Sequence, residues 1–375
     1  MKLKAEKFKK LCATVITAVE SGVAQKNAGV LTLETKGNYL YLNTAGTDYY
    51  LSARFLPEEF SDINVSVQAS LFLKLIADLD SDEIELLAKD KYLSIKSSTG
   101  SFKVPYIFIN DKPATLVPIT INNPVTEMNI DGDILYSILQ FNSKELIKTV
   151  WQKQELQKLF YVDQLGCITF TNGACINSFN LEKPVRFLLK DKIVKLFKLF
   201  KGTGVHFTLG YDDVENRLTQ TKVSFETEDI VLTAITMLNE SVLLVKAGED
   251  QIRALGNKIF PYTLILDTEA MRRAINRLLL FVKKEDQLLS TAIISCNQDE
   301  LSILGAGENT EVIKVGMGSI IDGEYKMRVQ LYDLKLVFDS AVEPTITMSF
   351  GDRRVVALTR QNVKNLIPED RHFNG

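Results

Sequence analysis

The feature that most constrains the fold of this chain is a pattern of helix, strand and helix that occurs three times. First helices, defined by apolar residues at helical spacing, are predicted to begin at residues 6, 132 and 267. Apolar strands follow near residues 39, 165 and 301, and second helices near residues 67, 190 and 331. The offsets from first helix to strand are 33, 33 and 34 residues. A period of about 120 to 130 residues indicates a repeat of whole domains.

Each recurring strand alternates apolar and polar residues and then enters a glycine-containing polar cluster. The clearest case is Leu165 to Ile176, LGCITFTNGACI; Tyr39 to Asp48 and Leu301 to Thr310 have the same form. Alternation with period two indicates strands that bury one face, and the glycine clusters indicate turns. Each repeat is therefore predicted to be α+β, with two amphipathic helices and a set of antiparallel strands.

Two segments with turn-forming residues separate the repeats. Residues 109–124 hold three of the nine prolines, and GNKIFPY occupies residues 256–262. Neither has a helical period, so both are predicted to be connectors. The predicted domains are residues 1–123, 124–256 and 257–375, the last with a C-terminal tail.

The residues that usually carry catalysis are sparse. The chain has two histidines and no HExxH, GxSxG or glycine-rich phosphate loop, and its four cysteines have no CxxC spacing. His206 alternates with apolar residues and is predicted to be a strand residue. An alternative is a metal-dependent hydrolase using Asp212 and Asp213, although YDDVEN is more typical of an acidic turn. We expect no catalytic residues, no metal and no cofactor.

Nothing in the sequence suggests export or membrane insertion. The N-terminal MKLKAEKFKKL lacks the apolar core of a secretory signal, and charges interrupt every apolar run. The cysteines lie mainly in apolar stretches and are predicted to be buried free thiols. We therefore expect a reducing, cytoplasmic environment.

Cationic residues are gathered on predicted helix faces, although the net charge is −3. In helix 190–201, apolar residues share one side, and the opposite arc carries Lys192, Lys195, Lys198 and Lys201. In helix 267–281, the side away from the apolar stripe carries Arg272, Arg273 and Arg277. One such helix could be an ordinary solvated face. Several of them in a net acidic chain favour a protein that meets a polyanion on one surface.

Four motifs in order resemble one protein family. TNGACI at 171–176 is similar to a Thr-Asp-Gly-His-Arg-Leu segment, and GNKIFPY to a Gly-x-x-Phe-Pro-x-Tyr passage. RVVALTR at 354–360 resembles a C-terminal Val-Val-Met-Pro-Met-Arg-Leu strand, and SFKVPYI at 101–107 resembles the last strand of a first domain. With the threefold repeat, they make the chain resemble the sliding clamp of bacterial replication, the DNA polymerase III beta subunit. The divergence suggests a phage-type, plasmid-type or otherwise specialised clamp.

The resemblance implies an architecture and a function. The fold would be three tandem copies of the DNA-clamp domain, with two chains closing head-to-tail into a dimeric ring, helices lining a central hole and antiparallel sheets outside. Such a protein is a non-catalytic processivity factor in the bacterial or phage-infected cytoplasm. Its partners would be double-stranded DNA, the polymerase catalytic subunit, a clamp loader and other proteins with clamp-binding motifs, but no membrane. The alternative is a clamp-fold DNA-binding protein that does not encircle DNA.

The resemblance also implies DNA contacts. In the first domain's second helix, the family's basic position falls on Ser70, so only Lys74 remains there. Together with the cationic helix faces, the predicted DNA contacts are Lys26, Lys74, Lys153, Gln154, Lys158, Lys190, Lys192, Lys195, Lys198, Arg272, Arg273 and Arg277.

Two further surfaces follow from the resemblance. The dimer junction would pair Phe102 and Val104 of one chain with Leu280 and Phe281 of the other. A groove for short linear peptides would be lined by Phe160, Thr171, Gly173, Ala174, Cys175, Ile176, Pro261, Val355, Val356 and Ala357. The residues at 174, 175 and 357–359 depart from the family pattern, which indicates a different peptide preference. The tail from Gln361 to Gly375 would extend past the family's end, as a short helix near the groove or as a segment frayed in its last five residues.

Overall fold

A computed structural model describes most of the chain: residues 1–20, 29–109, 112–142, 159–170, 173–211, 221–236, 250–352 and 354–370. The protein is α+β, as predicted, and every pairing between its described strands is antiparallel. The chain divides into two compact units. Unit 1 comprises Met1–Asp133 and Leu196–Thr236, and unit 2 comprises Ile134–Lys195 and Met237–Gly375.

The described helices are short and amphipathic. They are α1 Ala5–Val15, α2 Ala69–Asp78, α3 Gly132–Asn142, α4 Asp191–Val194, α5 at 250–256, α6 Thr268–Leu279 and α7 Leu331–Ser340. Four stretches of 3-10 helix are Ile16–Ala18, Lys195–Phe200, Gln287–Leu289 and Ala306–Glu308.

The strands follow one order three times: one strand, a helix, four strands, a helix, three strands. In the first repeat they are β1 Lys2–Lys4, β2 Val30–Lys36, β3 Tyr39–Ala45, β4 Tyr49–Phe55, β5 Asn64–Gln68, β6 Glu83–Ala88, β7 Tyr92–Ser97 and β8 Gly100–Pro105, followed by the hairpin β9 Phe108–Ile109 and β10 Lys112–Pro113. In the second they are β11 Asn123–Asp131, β12 Leu159–Asp163, β13 Gly166–Phe170, β14 Ala174–Ser178, β15 Arg186–Lys190, β16 Gly204–Tyr211, β17 Thr221–Glu226 and β18 Ile230–Ile235. In the third they are β19 Tyr262–Asp267, β20 Thr291–Cys296, β21 Glu300–Leu304, β22 Thr310–Lys314, β23 Tyr325–Gln330, β24 Thr345–Phe350, β25 Val355–Arg360 and β26 Val363–Pro368.

Each unit contains one eight-stranded and one four-stranded sheet. In unit 1 the strand orders are β11-β16-β17-β18-β4-β3-β2-β5 and β1-β6-β7-β8. In unit 2 they are β15-β12-β13-β14-β26-β25-β24-β19 and β22-β21-β20-β23. Each eight-stranded sheet thus joins four strands of one repeat to four strands of the next. The boundary between the units therefore falls inside the middle repeat, whereas the predicted three-domain limits follow the linear repeat.

One rule joins the repeats within each eight-stranded sheet. The last strand of a repeat pairs with the fourth strand of the preceding repeat: β18 with β4, and β26 with β14. Within the described part of the chain, the same rule leaves two strands without such a partner: β8, the last strand of the first repeat, and β22, the fourth strand of the third repeat. Among the described strands, β8 pairs only with β7 and β22 only with β21. The two strands are open sheet edges of complementary kind.

The cores lie between helix pairs and sheets. In unit 1, Phe8 of α1 meets Phe55 and Phe72 edge-to-face, with ring centroids 5.3 and 6.4 Å apart. In unit 2, Met271 on α6 and Phe338 on α7 are fully buried in one apolar cluster. Both arrangements follow from apolar residues recurring every three or four positions, which places them on one side of each helix.

The predicted helices at 6, 67, 132, 267 and 331 are confirmed, and His206 lies on β16, a strand as predicted. The helix predicted over 190–201 is helical from 191 to 200, as α4 followed directly by 3-10 helix. One prediction is wrong: the tail, predicted to be a short helix or frayed, forms β26, while the last five residues lie outside the described part of the chain.

Candidate nucleic-acid interface, groove and sheet edges

The predicted DNA contacts on the middle repeat are solvent-facing where they are described. Lys192, Lys195 and Lys198 are exposed, and Lys190 is half-buried. In unit 1, Phe197 and Phe200 of the 3-10 segment pack against Phe225, with ring centroids 5.1 and 6.0 Å from that of Phe225. This packing buries the aromatic side of the segment and leaves Lys198 on the solvent side. Lys195 is partly neutralised, because its Nζ lies 2.8 Å from a carboxylate oxygen of Asp191.

Lys74 on α2 is also exposed. The remaining predicted contacts of the first and middle repeats, Lys26, Lys153, Gln154 and Lys158, lie outside the described residues. The same holds for Asp212 and Asp213.

The three arginines of α6 occupy three different environments. Arg272 donates from Nε and Nη2 to the carbonyl oxygen of Phe338 at 3.2 and 2.9 Å, and from Nη2 to that of Ala341 at 2.9 Å. It also donates to Glu269 on its own helix. These carbonyls belong to the C-terminal end of α7, where helical carbonyls lack internal partners. The Arg272 side chain therefore caps α7.

Arg273 and Arg277 are both exposed, but only Arg277 makes a close ion pair. Its Nε and Nη2 donate to Oε1 and Oε2 of Glu311 on β22, each at 2.6 Å. These hydrogen bonds lower the pKa of Glu311 below its usual value of 4.5. Arg273 has its nearest carboxylate, on Glu269, 3.9 Å away, with 64% of its side chain exposed. Arg273 is thus the arginine of α6 whose charge most faces solvent.

An apolar cluster covers one face of the sheet where β14 meets β26. Its buried members are Ile168, Ala174, Ile176, Ala357 and Leu366, and half-buried side chains pack against them from Ile252, Leu255, Phe260 and Val355. Ala174 lies opposite Leu366 in the β14–β26 ladder and shares its face. The structure therefore brings together Ala174, Ile176, Val355 and Ala357 of the predicted groove.

Other predicted groove residues are not part of this cluster. Phe160 and Cys175 are fully buried, and the Cys175 thiol lies 3.6 Å from the carbonyl oxygen of Phe141. Val356 lies in the core shared with α7, and Pro261 is exposed. Thr171 falls outside the described residues.

The last strand of the third repeat differs from the sequence prediction. RVVALTR forms β25, the seventh strand of its repeat, and VKNLIP forms β26, the eighth. Strand β26 lies between β25 and β14, so the last described strand of the chain is β26 and not RVVALTR, which the resemblance identified with the family's C-terminal strand. Sequence reasoning missed Leu366, although the alternation in VKNLIP was a usable signal. The misassignment arose because RVVALTR carries the Val-Val pair that marks the family's final strand.

Close backbone packing, one ion pair and one hydrogen bond hold the cluster in place. A Cβ atom at Gly173 would lie 1.8 Å from the carbonyl oxygen of Leu366, so β26 can approach here only because residue 173 is glycine. Arg253 of α5 donates to Asp163 at 2.6 Å, and Lys364 of β26 donates to the carbonyl oxygen of Gly256. Helix α5 is thereby fixed over the apolar face.

The predicted junction residues divide into exposed and buried groups. Phe102 on edge strand β8 is 36% exposed, whereas Val104 is 1% exposed and belongs to the core of unit 1. Leu280 and Phe281, just after α6, are 80% and 63% exposed. Exposed apolar side chains of this size beside open sheet edges are typical of surfaces that another chain covers.

No group of three or more His, Cys, Asp or Glu side chains that could hold a metal ion occurs within the described ranges. All four cysteines are buried and free, and burial raises the pKa of Cys296 to about 12 and those of Cys12 and Cys167 well above the usual value for a thiol. In the part of the chain that the structure covers, no helix is long and apolar enough to span a membrane.

The fold matches that of known proteins although the sequence does not. No protein-family model and no curated protein sequence matches the chain. The DNA polymerase III beta subunits of Thermotoga maritima and Pseudomonas aeruginosa superpose with a TM-score of 0.76 at 12% and 13% identity, and the DNA polymerase sliding clamp of Bacillus subtilis with 0.74 at 12%. Each comparison covers 99% of both chains.

Proposed function

We propose that this chain, which has the fold of bacterial DNA polymerase III beta subunits, is a sliding clamp: a head-to-tail homodimeric ring that encircles duplex DNA and tethers a replicative polymerase. The observation that carries the proposal is the rule joining the repeats. Each repeat's last strand pairs with the fourth strand of the repeat before it, and β8 and β22 alone among the described strands of those two kinds lack such a partner.

Pairing β8 of one chain with β22 of another satisfies both edges. Because each chain offers one edge of each kind, two chains form two identical junctions, and neither β8 nor β22 is left unpaired in either chain. Closure also removes the aggregation hazard of an open strand edge. Six repeats, three from each chain, would then form the ring.

The cationic side chains support the DNA-facing role of the helices. Lys74, Lys192, Lys198 and Arg273 are exposed on helical segments, and none of them lies on a strand. Lysine and arginine on such surfaces attract phosphates without reading bases, which suits a protein that must move along DNA. We assign no catalytic step to the chain.

The apolar cluster over β14 and β26 supports a binding groove for short peptides. Half-buried Ile252, Leu255 and Phe260 flank buried Ala174, Ile176 and Leu366. Apolar recesses with a few fixed polar neighbours accept apolar anchor residues of linear motifs. The polymerase, a clamp loader and other cytoplasmic replication proteins would bind here.

Sedimentation equilibrium at micromolar concentration tests the assembly. We expect a mass near twice the 42.2 kDa of the chain. Only monomer across the concentration range would contradict the ring. That result would favour the second candidate, a clamp-fold protein that binds DNA without encircling it. The exposed lysines alone would be enough for such binding.

A further inference from the structure

We propose that helix α5 is an internal ligand of the peptide groove: it occupies the apolar floor formed by β13, β14, β25 and β26, and a partner peptide binds only by displacing it. The inference rests on the proposed function of this groove. It names both what closes the groove and what chemistry a partner needs in order to open it.

The floor of the groove is covered by the chain itself. Ala174 and Ile176 of β14 are 4% and 7% exposed, and Leu366 of β26 is 3% exposed. Cys175 and Asn177 alternate with the first two residues along β14, and both contact α3 on the opposite face of the sheet. The groove face of β14 is therefore buried by a different element.

Helix α5 supplies this cover. Ile252 and Leu255 lie three positions apart and so share one side of the helix, and both are half-buried against the floor. Ala254 is exposed on the other side. A Cβ atom at Gly256 would lie only 2.8 Å from Cδ1 of Ile176, so the end of α5 rests directly on the floor. The chain thus holds in its own groove an amphipathic helix of the kind that apolar grooves bind.

Polar contacts fasten α5 to two strands. Arg253 donates from Nη2 to Oδ2 of Asp163 on β12 at 2.6 Å, and Lys364 of β26 donates to the carbonyl oxygen of Gly256. Helix α5 lies in the connector between the second and third repeats and outside both sheets of unit 2. It can therefore leave the floor without breaking a ladder of strand hydrogen bonds, as elements that cover binding sites must.

The contacts of α5 also define what a partner must carry. Two aliphatic side chains one helical turn apart would take the places of Ile252 and Leu255. A cation beside the first of them would replace Arg253 at Asp163. The Asp163 side chain is largely buried, and a buried carboxylate that loses a charged donor is destabilised unless another cation replaces it. The partner is thus an amphipathic segment with a basic residue next to its first apolar anchor.

A labelled peptide with the sequence of residues 250–260, DQIRALGNKIF, is the probe for this site. In the wild type it competes with the tethered α5, whose effective concentration is on the order of millimolar. Leu255→Glu places a carboxylate against the apolar floor, so we expect it to expel α5 and raise the affinity for the peptide about tenfold. Ala254→Glu makes the same change on the exposed side and should bind the peptide as the wild type does. Fluorescence anisotropy measures the affinities.

A reversible tether tests the closed state in one molecule. Ile176→Cys combined with Gly256→Cys should form a disulfide where α5 meets β14. The oxidised protein should bind the peptide about tenfold more weakly than the same protein after reduction, because α5 can then no longer leave. Thermal unfolding of both forms, and of the two glutamate variants, checks that each is folded.

A charge-reversed probe tests the contact with Asp163. The Arg253→Glu form of the peptide should bind the Leu255→Glu protein more weakly than the parent peptide does. Equal or tighter binding of the charge-reversed peptide would overturn the cationic requirement.

Two other results separate the inference from the proposed function. Equal affinities of the wild type and both glutamate variants, with no effect of the tether, would overturn the internal ligand and leave an open peptide groove. Absence of binding by every form of the protein would refute the groove itself together with its internal ligand.

Discussion

At the scale of single residues, helical periodicity predicts which side of a helix a side chain faces, but not which residues it contacts. The pattern in TEAMRRAINRLL correctly placed three arginines away from the apolar stripe. It could not show that Arg272 caps α7, since Phe338 and Ala341 lie more than sixty positions away in the sequence. Nor could it show that Glu311, on a strand of another hairpin, neutralises Arg277. The tertiary contacts divide one predicted group into three roles.

Arg272 and Arg273 form a matched pair for testing this division. Arg272→Ala should lower the free energy of unfolding by about 1.5–3 kcal/mol, because carbonyls at the end of α7 lose a charged donor. Arg273→Ala should change stability little and weaken DNA binding instead. Chemical denaturation and DNA titration of the two variants measure both effects. A stability loss in Arg273→Ala with none in Arg272→Ala would contradict the assignment.

Gly173 is a second position where one atom matters. Gly173→Ala should destabilise the protein by about 1–3 kcal/mol, because the added methyl group would force β26 away from β14. Gly204→Ala is the control, since a Cβ at Gly204 meets no atom within 4 Å. Urea denaturation of both variants gives the comparison. Equal stability of the two would mean that β26 does not approach residue 173 this closely.

At the scale of elements, the sequence predicted most helices but misassigned the last strand. Helix 132–142 was predicted at its observed limits, because apolar periodicity and local turn residues suffice for such a helix. Strand order cannot be obtained this way. Whether RVVALTR or VKNLIP pairs with β14 depends on contacts far apart in the sequence, and both segments have strand-like alternation. The same limit applies to the groove, in which Leu366 and α5 became visible only through the sheet.

The proposed pairing of β8 with β22 can be tested by cysteine trapping. Ser101→Cys, combined in turn with Thr310→Cys and with Val312→Cys, should give a covalent dimer on mild oxidation in one of the two variants, because opposite residues of paired strands have Cβ atoms about 4.5–5.5 Å apart. Denaturing electrophoresis without reductant measures the product. The native cysteines should not interfere, since they are buried.

Ser101→Cys with Val342→Cys serves as the control for this trapping, because Val342 is 73% exposed but follows α7 and does not lie on β22. Preferential crosslinking of the control pair would show that β8 does not pair with β22.

At the scale of the whole molecule, the charge distribution matters more than the total. A net charge of −3 argues weakly against DNA binding, yet cations gathered on helices can still hold phosphates. Lys198→Ala should weaken binding to all duplex sequences alike and reduce its salt dependence. Lys96→Ala, which removes a lysine of strand β7 that is paired with Glu85 at 3.1 Å, should do neither. DNA titrations at several salt concentrations decide between these outcomes. If the affinity of both variants depended on salt to the same extent, the helices would not form the DNA-binding surface.

The most direct test of encirclement uses the trapped ring on DNA. The variant whose cysteines on β8 and β22 crosslink is oxidised in the presence of covalently closed circular duplex, washed with about 1 M salt to screen phosphate contacts, and assayed before and after a single restriction cut. We predict that sealed dimers stay on the intact circle and leave once the DNA is linear. Loss from the intact circle in high salt, or equal retention on cut DNA, would contradict a protein that holds DNA by surrounding it.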